Sequence, residues 1–326
     1  MTERRSLVRS GAIQTLLAFG ALIVMLIVFS IAAPNFLQFD NIVGILVATA
    51  VNGVLALGVT FVIITGGIDL SIGTVMTLSA VMTGVVVTNW QLPIPLGVAA
   101  GILTGGAAGL VNGVLIARLK VPPFIATLGM LNVAKGLALV SSGLRPIYFT
   151  DTPSFNEIAM GSVVAKVIPS FEIPNLVLFL FGAALLAGFV LNRTILGRYT
   201  FALGSNEEAT RLSGVAVRFH KTMVYVLSGA TSALAAVLLT ARLNSAQPIA
   251  GMMYELDAIA ATVIGGTSLL GGSGSLGGTL VGALIMGVLR NGLNLLGVSS
   301  YLQQIVIGAV IIVAVLVDSL LKRPGR

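Results

Sequence analysis

Long apolar stretches separated by short polar ones set the pattern of this chain. Runs with almost no charge cover residues 13–33, 42–65, 71–90, 94–117, 123–141, 174–192, 222–241, 254–270, 276–296 and 301–321. Crossing ~30 Å of hydrocarbon at ~1.5 Å per residue takes about 20 residues of helix. The pattern therefore predicts an all-α, polytopic transmembrane helical bundle of about ten spans. Glycines between 265 and 278 interrupt the eighth and ninth runs, so broken or re-entrant segments are expected at such Gly-rich motifs. Residues 1–326 read as a single transmembrane domain. Its first half is about 1–141, followed by an outer loop 142–173 and a second half of about 174–326 that carries an inner loop, 193–221. The first run resembles a signal sequence ending near Ala32-Ala33. It is longer than the 7–15 apolar residues of a signal core, so an uncleaved anchor is expected.

Charge gives the runs a direction. Arg4, Arg5 and Arg9 precede the first run, and Arg118 and Lys120 follow the fourth. Arg193, Arg198, Arg211, Arg218 and Lys221 lie between the sixth and seventh, and Lys322, Arg323 and Arg326 follow the tenth. With ten spans, these thirteen of the 18 basic residues fall on one side, as the positive-inside bias requires of a cytoplasmic face. Both termini are thus expected inside, with 34–41, 142–173 and 242–253 outside.

Composition narrows the classes. The chain is 56% hydrophobic and 9% charged, with a mean hydropathy of +1.05; soluble domains carry roughly 25% charged residues. An ordinary soluble enzyme, a disordered chain and a nucleic-acid module are excluded. The net charge of +7 is topological and implies no nucleic-acid partner. Cysteine is absent and histidine occurs once, so neither a catalytic residue, a metal site nor a cofactor is expected within the chain. Gly272-Ser-Gly274-Ser-Leu-Gly277 spells a dinucleotide fingerprint but lacks the preceding strand and following acid, so a tight turn with close helix packing is expected. His220, between Arg218 and Lys221, reads as interfacial.

The two halves echo each other. Gly97, Gly101, Gly105, Gly109 and Gly113 recur every four residues in the fourth run, as do Gly274, Gly278 and Gly282 in the ninth. Such stripes let a neighbouring backbone approach closely. Asp69, Thr74 and Val75 recur as Asp257, Thr262 and Val263 at the same offsets. Two five-span halves of odd parity point opposite ways, the build of an inverted repeat.

Candidate chemistry is sparse. Asp69 and Ser71 in the run GGIDLSIG, and Asp257 beside Glu255, either cap helices or contact a solute. Asn112, Asn244, Gln247, Asn291 and Asn294, with Asn52, Asn132, Gln303 and Gln304, either bond sugar-like hydroxyls or hold helices together. Lys135 and Arg290 lie well inside spans, where each snorkels or pairs with an acid. In the inner loop, Ser205 or Asn206 is placed to cap a short helix whose first turn carries Glu207 and Glu208. Arg211 follows at pairing distance, Gly214 is placed for a left-handed stop, and Ala209 and Leu212 form an apolar edge. Such a helix either docks into a partner's groove or is a plain connector.

These residues carry a resemblance. GGIDLSIG at 66–73, PPFIATLGM at 122–130, GRYTFALGSNEEATRLSGV at 197–215, ARLNSAQPIAG at 241–251, YELDAIAATVIGGTSLLGGSG at 254–274 and NGLNLLGVSS at 291–300 resemble the permease subunits of ribose-type monosaccharide ABC importers. The resemblance spans 34–319. It implies ten helices, a multi-pass protein of the bacterial inner membrane with both ends cytoplasmic, and two permease copies per transporter, a homodimer in the simplest case. It implies an ATPase partner that uses ATP and Mg on the inner face, and an extracytoplasmic sugar-binding protein. Gly204, Asn206, Glu207, Glu208, Ala209, Arg211, Leu212 and Gly214 match the family's ATPase-coupling segment. The expected cargo is ribose or a similar sugar, with a substrate pathway through Asp69, Ser71, Asn112, Asn244, Gln247, Asp257, Asn291 and Asn294. A secondary transporter or channel for a small polar solute is the alternative without partners.

Overall fold

A computed structural model describes the backbone of residues 2–321. The side chains of residues 1–14, 314, 315 and 317–326 lie outside the described residues, and with them the terminal basic clusters. The chain is helical nearly throughout. Five helices form the first half: α1 (Thr2–Ala32), α2 (Phe39–Ile64), α3 (Ile72–Gly84, extended by a π-helical turn Val85–Asn89), α4 (Ile94–Ala117) and α5 (Pro123–Ser141). The connecting region carries a two-residue strand β1 (Ile147–Tyr148) and short helices α6 (Ser154–Met160) and α7 (Val163–Val167). Next come α8 (Asn175–Arg193), α9 (Ile195–Ser205), α10 (Glu207–Leu212), α11 (Val217–Leu243), β2 (Ser245–Ala246), α12 (Tyr254–Ile264), α13 (Leu276–Leu295) and α14 (Ser300–Leu321).

Among the described residues, α1–α5, α8, α11 and α13 are long and apolar enough to cross a membrane. The described apolar part of α14 is shorter, Ser300–Val313. The eighth predicted span, 254–270, needs correction. Its helix α12 has 11 residues, about 16 Å at the helical rise and roughly half a bilayer core.

The rest of that run, 265–270, is turn and irregular chain, and the segment before α12 is non-helical too, a two-residue strand followed by turns. Segment 242–253, expected outside, instead re-enters the bundle. Ala246 packs against Gly84 near one end of α3, and the Gly251 N–H donates to Thr77 Oγ1 at 3.0 Å, deeper along α3. β2 pairs antiparallel with β1, Ile147 opposite Ala246. Gly251 then meets Gly73 in the first turn of α3, so closely that a methyl on either would strike the other's carbonyl. A second break, Thr65–Ser71, turns back between α2 and α3 with Gly66 at φ +74°. Non-helical backbone is tolerated at membrane depth only where protein satisfies its polar groups. Protein groups supply partners in both: Gly251 N–H donates to Thr77 Oγ1, and Gly67 N–H to the Val62 carbonyl.

The core centres on α2, which is buried on all sides from Val54 to Ile64, as expected of a helix apolar all round. The glycine stripes are used as predicted. Gly97 and Gly101 face Thr83 and Ser79 of α3; Gly105, Gly109 and Gly113 face Gly229, Tyr225 and Thr222 of α11. In the second half, Gly278 and Gly282 face Gly265, just past the end of α12, and Ala261 within it; Gly287 faces Thr49 of α2. Thus α4 lies across α3 and α11 as α13 lies across α12 and α2. Under that correspondence the sequence echo slips. Asp69 lies three residues before α3 begins, whereas Asp257 lies three residues after α12 begins. Matching letters between Gly/Ala-rich helices had aligned an acid before one helix with an acid inside another.

Candidate functional site

Asp69, Ser71 and Asn112 come together in the interior. Asp69, 2% exposed, accepts hydrogen bonds at Oδ1 from the Ser71 N–H (3.0 Å) and hydroxyl (2.6 Å), and at Oδ2 from the Ser228 hydroxyl (3.0 Å). Asn112 Nδ2 donates to Ser71 Oγ at 2.9 Å. The network ties the α2–α3 break to α4 and α11. Asp69 therefore braces the break by an Asx-type turn rather than capping α3, whose flanking residue is Ser71.

Asp257 is elsewhere. It makes no helix cap; its carboxylate pairs with Arg290 of α13. The remaining amides are scattered; Asn291, Asn294 and Gln247 have side-chain partners, while the buried Asn244 Oδ1 has none among the described residues. Asn291 and Asn41 exchange amide hydrogen bonds of 2.9 and 3.1 Å between α13 and α2. Asn294 Oδ1 accepts from Gln303 Nε2 at 2.7 Å. Gln247 Nε2 donates to Ser245 Oγ at 3.2 Å, and Asn244 ends α11 in a left-handed conformation, φ 50°. Only Asp69, Ser71 and Asn112 of the eight are brought together by hydrogen bonds, and Asp257, Asn291 and Asn294 are each bonded to another helix or turn.

The inner loop folds closely as its residues dictate. Asn206 Oδ1 accepts from the Ala209 N–H at 2.8 Å and caps α10, and Gly214 stops it at φ +82°. Arg211 donates to both carboxylate oxygens of Glu208, at 3.0 and 2.6 Å. That hydrogen bonding, helped by the guanidinium charge, holds Glu208 below the usual carboxylate range. Glu207 takes other partners: Lys221 Nζ of α11 at 2.7 Å and Lys120 Nζ of the α4–α5 turn at 3.9 Å. Thr210 is buried, while Ala209 and Leu212 are exposed, Leu212 at 73%.

Gly204, at the end of α9, has a separate task. It lies against the Ile64 carbonyl and the Gly272 amide, leaving no room for a methyl. Gly272 N–H donates to Ile64 O at 2.9 Å, and Gly271 lies against Gly66. Three chain breaks thus meet beneath α10: the end of α2, the α12–α13 loop and the end of α9. The contacts among them are backbone to backbone, Gly204 with Ile64 and Gly272, and Gly271 with Gly66.

Residues 41–315 match the family described as branched-chain amino acid transport system / permease component. The chain is 45% identical over 304 residues to the ribose import permease protein of Haemophilus influenzae, covering 93% of each chain. It is 44% identical over 318 residues to that of Bacillus subtilis, covering 97% of this chain and 96% of the relative. The D-allose transport system permease protein of Escherichia coli is 37% identical over 306 residues, covering 94% and 91%. The chain belongs to this permease family.

In this permease, the partners of Ser228, Lys221 and Arg290 and the burial of Tyr225 are not visible in the pattern of the sequence. Ser228 and Lys221 are single polar letters on an otherwise mixed helix, with nothing to mark Asp69 and Glu207 as their partners. Tyr225 is wholly buried beside Gly67, with its hydroxyl unpartnered. Arg290 stood out as a mid-span cation, but its partner lies 33 positions away on another helix.

Proposed function

We propose that this permease is the membrane-spanning subunit of an ATP-driven ABC importer for ribose or a similar monosaccharide, working as a pair of identical copies. Both termini and α10 face the cytoplasm, where a separate ATPase subunit uses ATP and Mg; a sugar-binding protein delivers cargo at the opposite face. Names of the ribose, allose and arabinose permeases among its relatives support the sugar class. The observation that carries the coupling role is α10 itself. It is capped at both ends, pinned through Glu207, and exposes Leu212 while α9 beneath it holds Gly204 against both breaks. Closure of the ATPases would move α10, and α9 would pass that motion to the α2–α3 and α12–α13 breaks. The two halves would then rock about the helix starts that meet at Gly73 and Gly251.

Leu212→Asp tests this. Leu212 packs against little in its own chain, so insertion and abundance should stay normal. A charge in the docking groove should abolish sugar uptake and weaken co-purification of the ATPase at least tenfold. Normal uptake with normal co-purification would reduce the loop to a connector. Orientation has its own measurement. Reporter domains fused after Arg326 and within 151–160 are expected on opposite sides, and the same side for both would overturn the ten-span arrangement.

A further inference from the structure

One helix carries an amide and an ammonium that no other helix pairs among the described residues. The buried residues of α5 are Ala126, Thr127, Ala134 and Ala138; Thr127, Ala134 and Ala138 mark the stripe packed toward the core. Gly129, Asn132 and Gly136 follow helical spacing on the opposite side. A methyl built on Gly129 or Gly136 meets nothing within 4 Å. Asn132 is exposed; its Nδ2 donates only to the Leu128 carbonyl of its own helix, at 3.1 Å, and its Oδ1 is free. Lys135, beside Gly136, makes no ion pair among the described residues.

Depth makes this unusual. Asn132 is the middle residue of the 19 in α5, too short in the side chain to reach either interface. Lys135 has twelve helical residues before it and six after it, about 18 Å and 9 Å of helix respectively. Cα–Cβ bonds lean toward the helix N-terminus, so Lys135 leans along the longer way, into the middle of the span. An amide and an ammonium held there in lipid would be costly; polar groups at this depth face protein or water. α5 also exposes Phe124, Ile125, Leu128, Val133, Leu137 and Val140, but it sets Asn132 and Lys135 among them, whereas α8 carries no polar side chain between Leu176 and Leu191. Its outward face suits acyl chains.

We infer that the Gly129–Asn132–Lys135–Gly136 face of α5 is a wall of the water-filled passage and makes the transient hydrogen bonds to a polyol in transit. Asn132 both donates to and accepts from hydroxyls, Lys135 donates, and the two glycines leave room for a sugar ring. Such contacts are weak and exchangeable with water, as passage rather than storage requires. The inference rests on the permease reading above. It moves the sugar contacts from the enclosed Asp69 network to an open face.

The chain contains no cysteine, so an introduced thiol reports alone. Asn132→Cys, Gly129→Cys and Leu186→Cys are made in the complete transporter, with its ATPase and binding protein, in membranes. A charged, membrane-impermeant methanethiosulfonate reads water, because the thiolate that it needs forms in water and not in lipid. The Asn132→Cys and Gly129→Cys thiols should react at least tenfold faster than Leu186→Cys, and ribose with its binding protein and ATP should slow them severalfold. Asn132→Leu and Lys135→Gln should lower uptake about tenfold at unchanged abundance and unchanged ATPase co-purification. Reaction no faster than at Leu186→Cys, whether from lipid or from tight protein contact, would overturn the aqueous wall. Fast reaction that ribose does not slow, with normal uptake in Asn132→Leu, would overturn the sugar contact. Fast reaction slowed by a different solute would leave the wall standing and sink the sugar assignment instead.

Discussion

Arg290→Met is expected to lower the amount of folded permease in the membrane severalfold, and Asp257→Leu is expected to lower it less. The two partners are unequally placed. The Asp257 side chain is 11% exposed and that of Arg290 is 47%. Removing one member of a buried ion pair costs about 3–5 kcal/mol, because the other charge is left in low dielectric. Without Arg290, the enclosed Asp257 has no counter-ion among the described residues. The half-exposed guanidinium keeps this case near the low end, about 3 kcal/mol. Without Asp257, the Arg290 guanidinium still reaches outward along its aliphatic stem. The double variant Asp257→Leu/Arg290→Met replaces both charges with apolar groups and should recover most of the loss, since buried pairs are often replaceable as pairs. Membrane abundance and thermal aggregation in detergent measure this. Equal losses for the two single variants, or a double variant no better than Arg290→Met, would contradict the pairing.

Asp69→Ala is the second large effect. It strands the Ser71 N–H and leaves the Ser71 and Ser228 hydroxyls without their acceptor, at about 1–3 kcal/mol for an unsatisfied buried group. It also releases the α2–α3 break from α11. Folded abundance should fall severalfold, and uptake should fall with it. Asp69→Asn keeps Oδ1 as the acceptor for Ser71. Its new Nδ2 donates to the Ser228 oxygen once that hydroxyl rotates, so abundance and uptake should be near normal. A sugar contact at Asp69 would give a different result: normal abundance with uptake lost in both variants. Asp257 should not follow Asp69 in this test. One acid braces a loop and the other is ion-paired within a helix, so their Asn variants are expected to differ.

Much of the membrane architecture was legible because hydrocarbon imposes one demand on every residue of a span. Nine of the ten runs read from the sequence correspond to helices of 18 residues or more, α3 counted with its π-helical turn. The glycine stripes foretold where α4 and α13 are crossed, because only an absent side chain allows backbones to touch. The α10 cap was legible for a local reason: Asn206 acts on the Ala209 N–H and Arg211 on Glu208, each within one turn, and Gly214 ends the helix two residues past Leu212.

The eighth run shows where hydropathy stops informing. Residues 254–270 read as one apolar run, yet the helix stops at Ile264 and 265–270 are turns and irregular chain. Hydropathy records what surrounds a residue, not how its backbone bonds. Thr77 and Gly73 of α3, distant in sequence, make a non-helical Gly251 acceptable. The amides were left open between two roles for the same reason. An Asn in an apolar helix reads as a free polar group until its partner is known, and Asn41 lies 250 positions from Asn291.

By itself, then, the sequence determined that this is a multi-pass helical protein, where its helices approach closely, and where a capped helix stands out from the inner loop. These follow from water and lipid acting on each short stretch separately. Only the tertiary structure decided which polar residues are spent on the fold and which stay open. Burial brings together groups from different helices, and a side chain is available to a solute only if none of those neighbours has taken it. Asp69 is taken, by Ser71 and Ser228. The carbonyl of Asn132 is not.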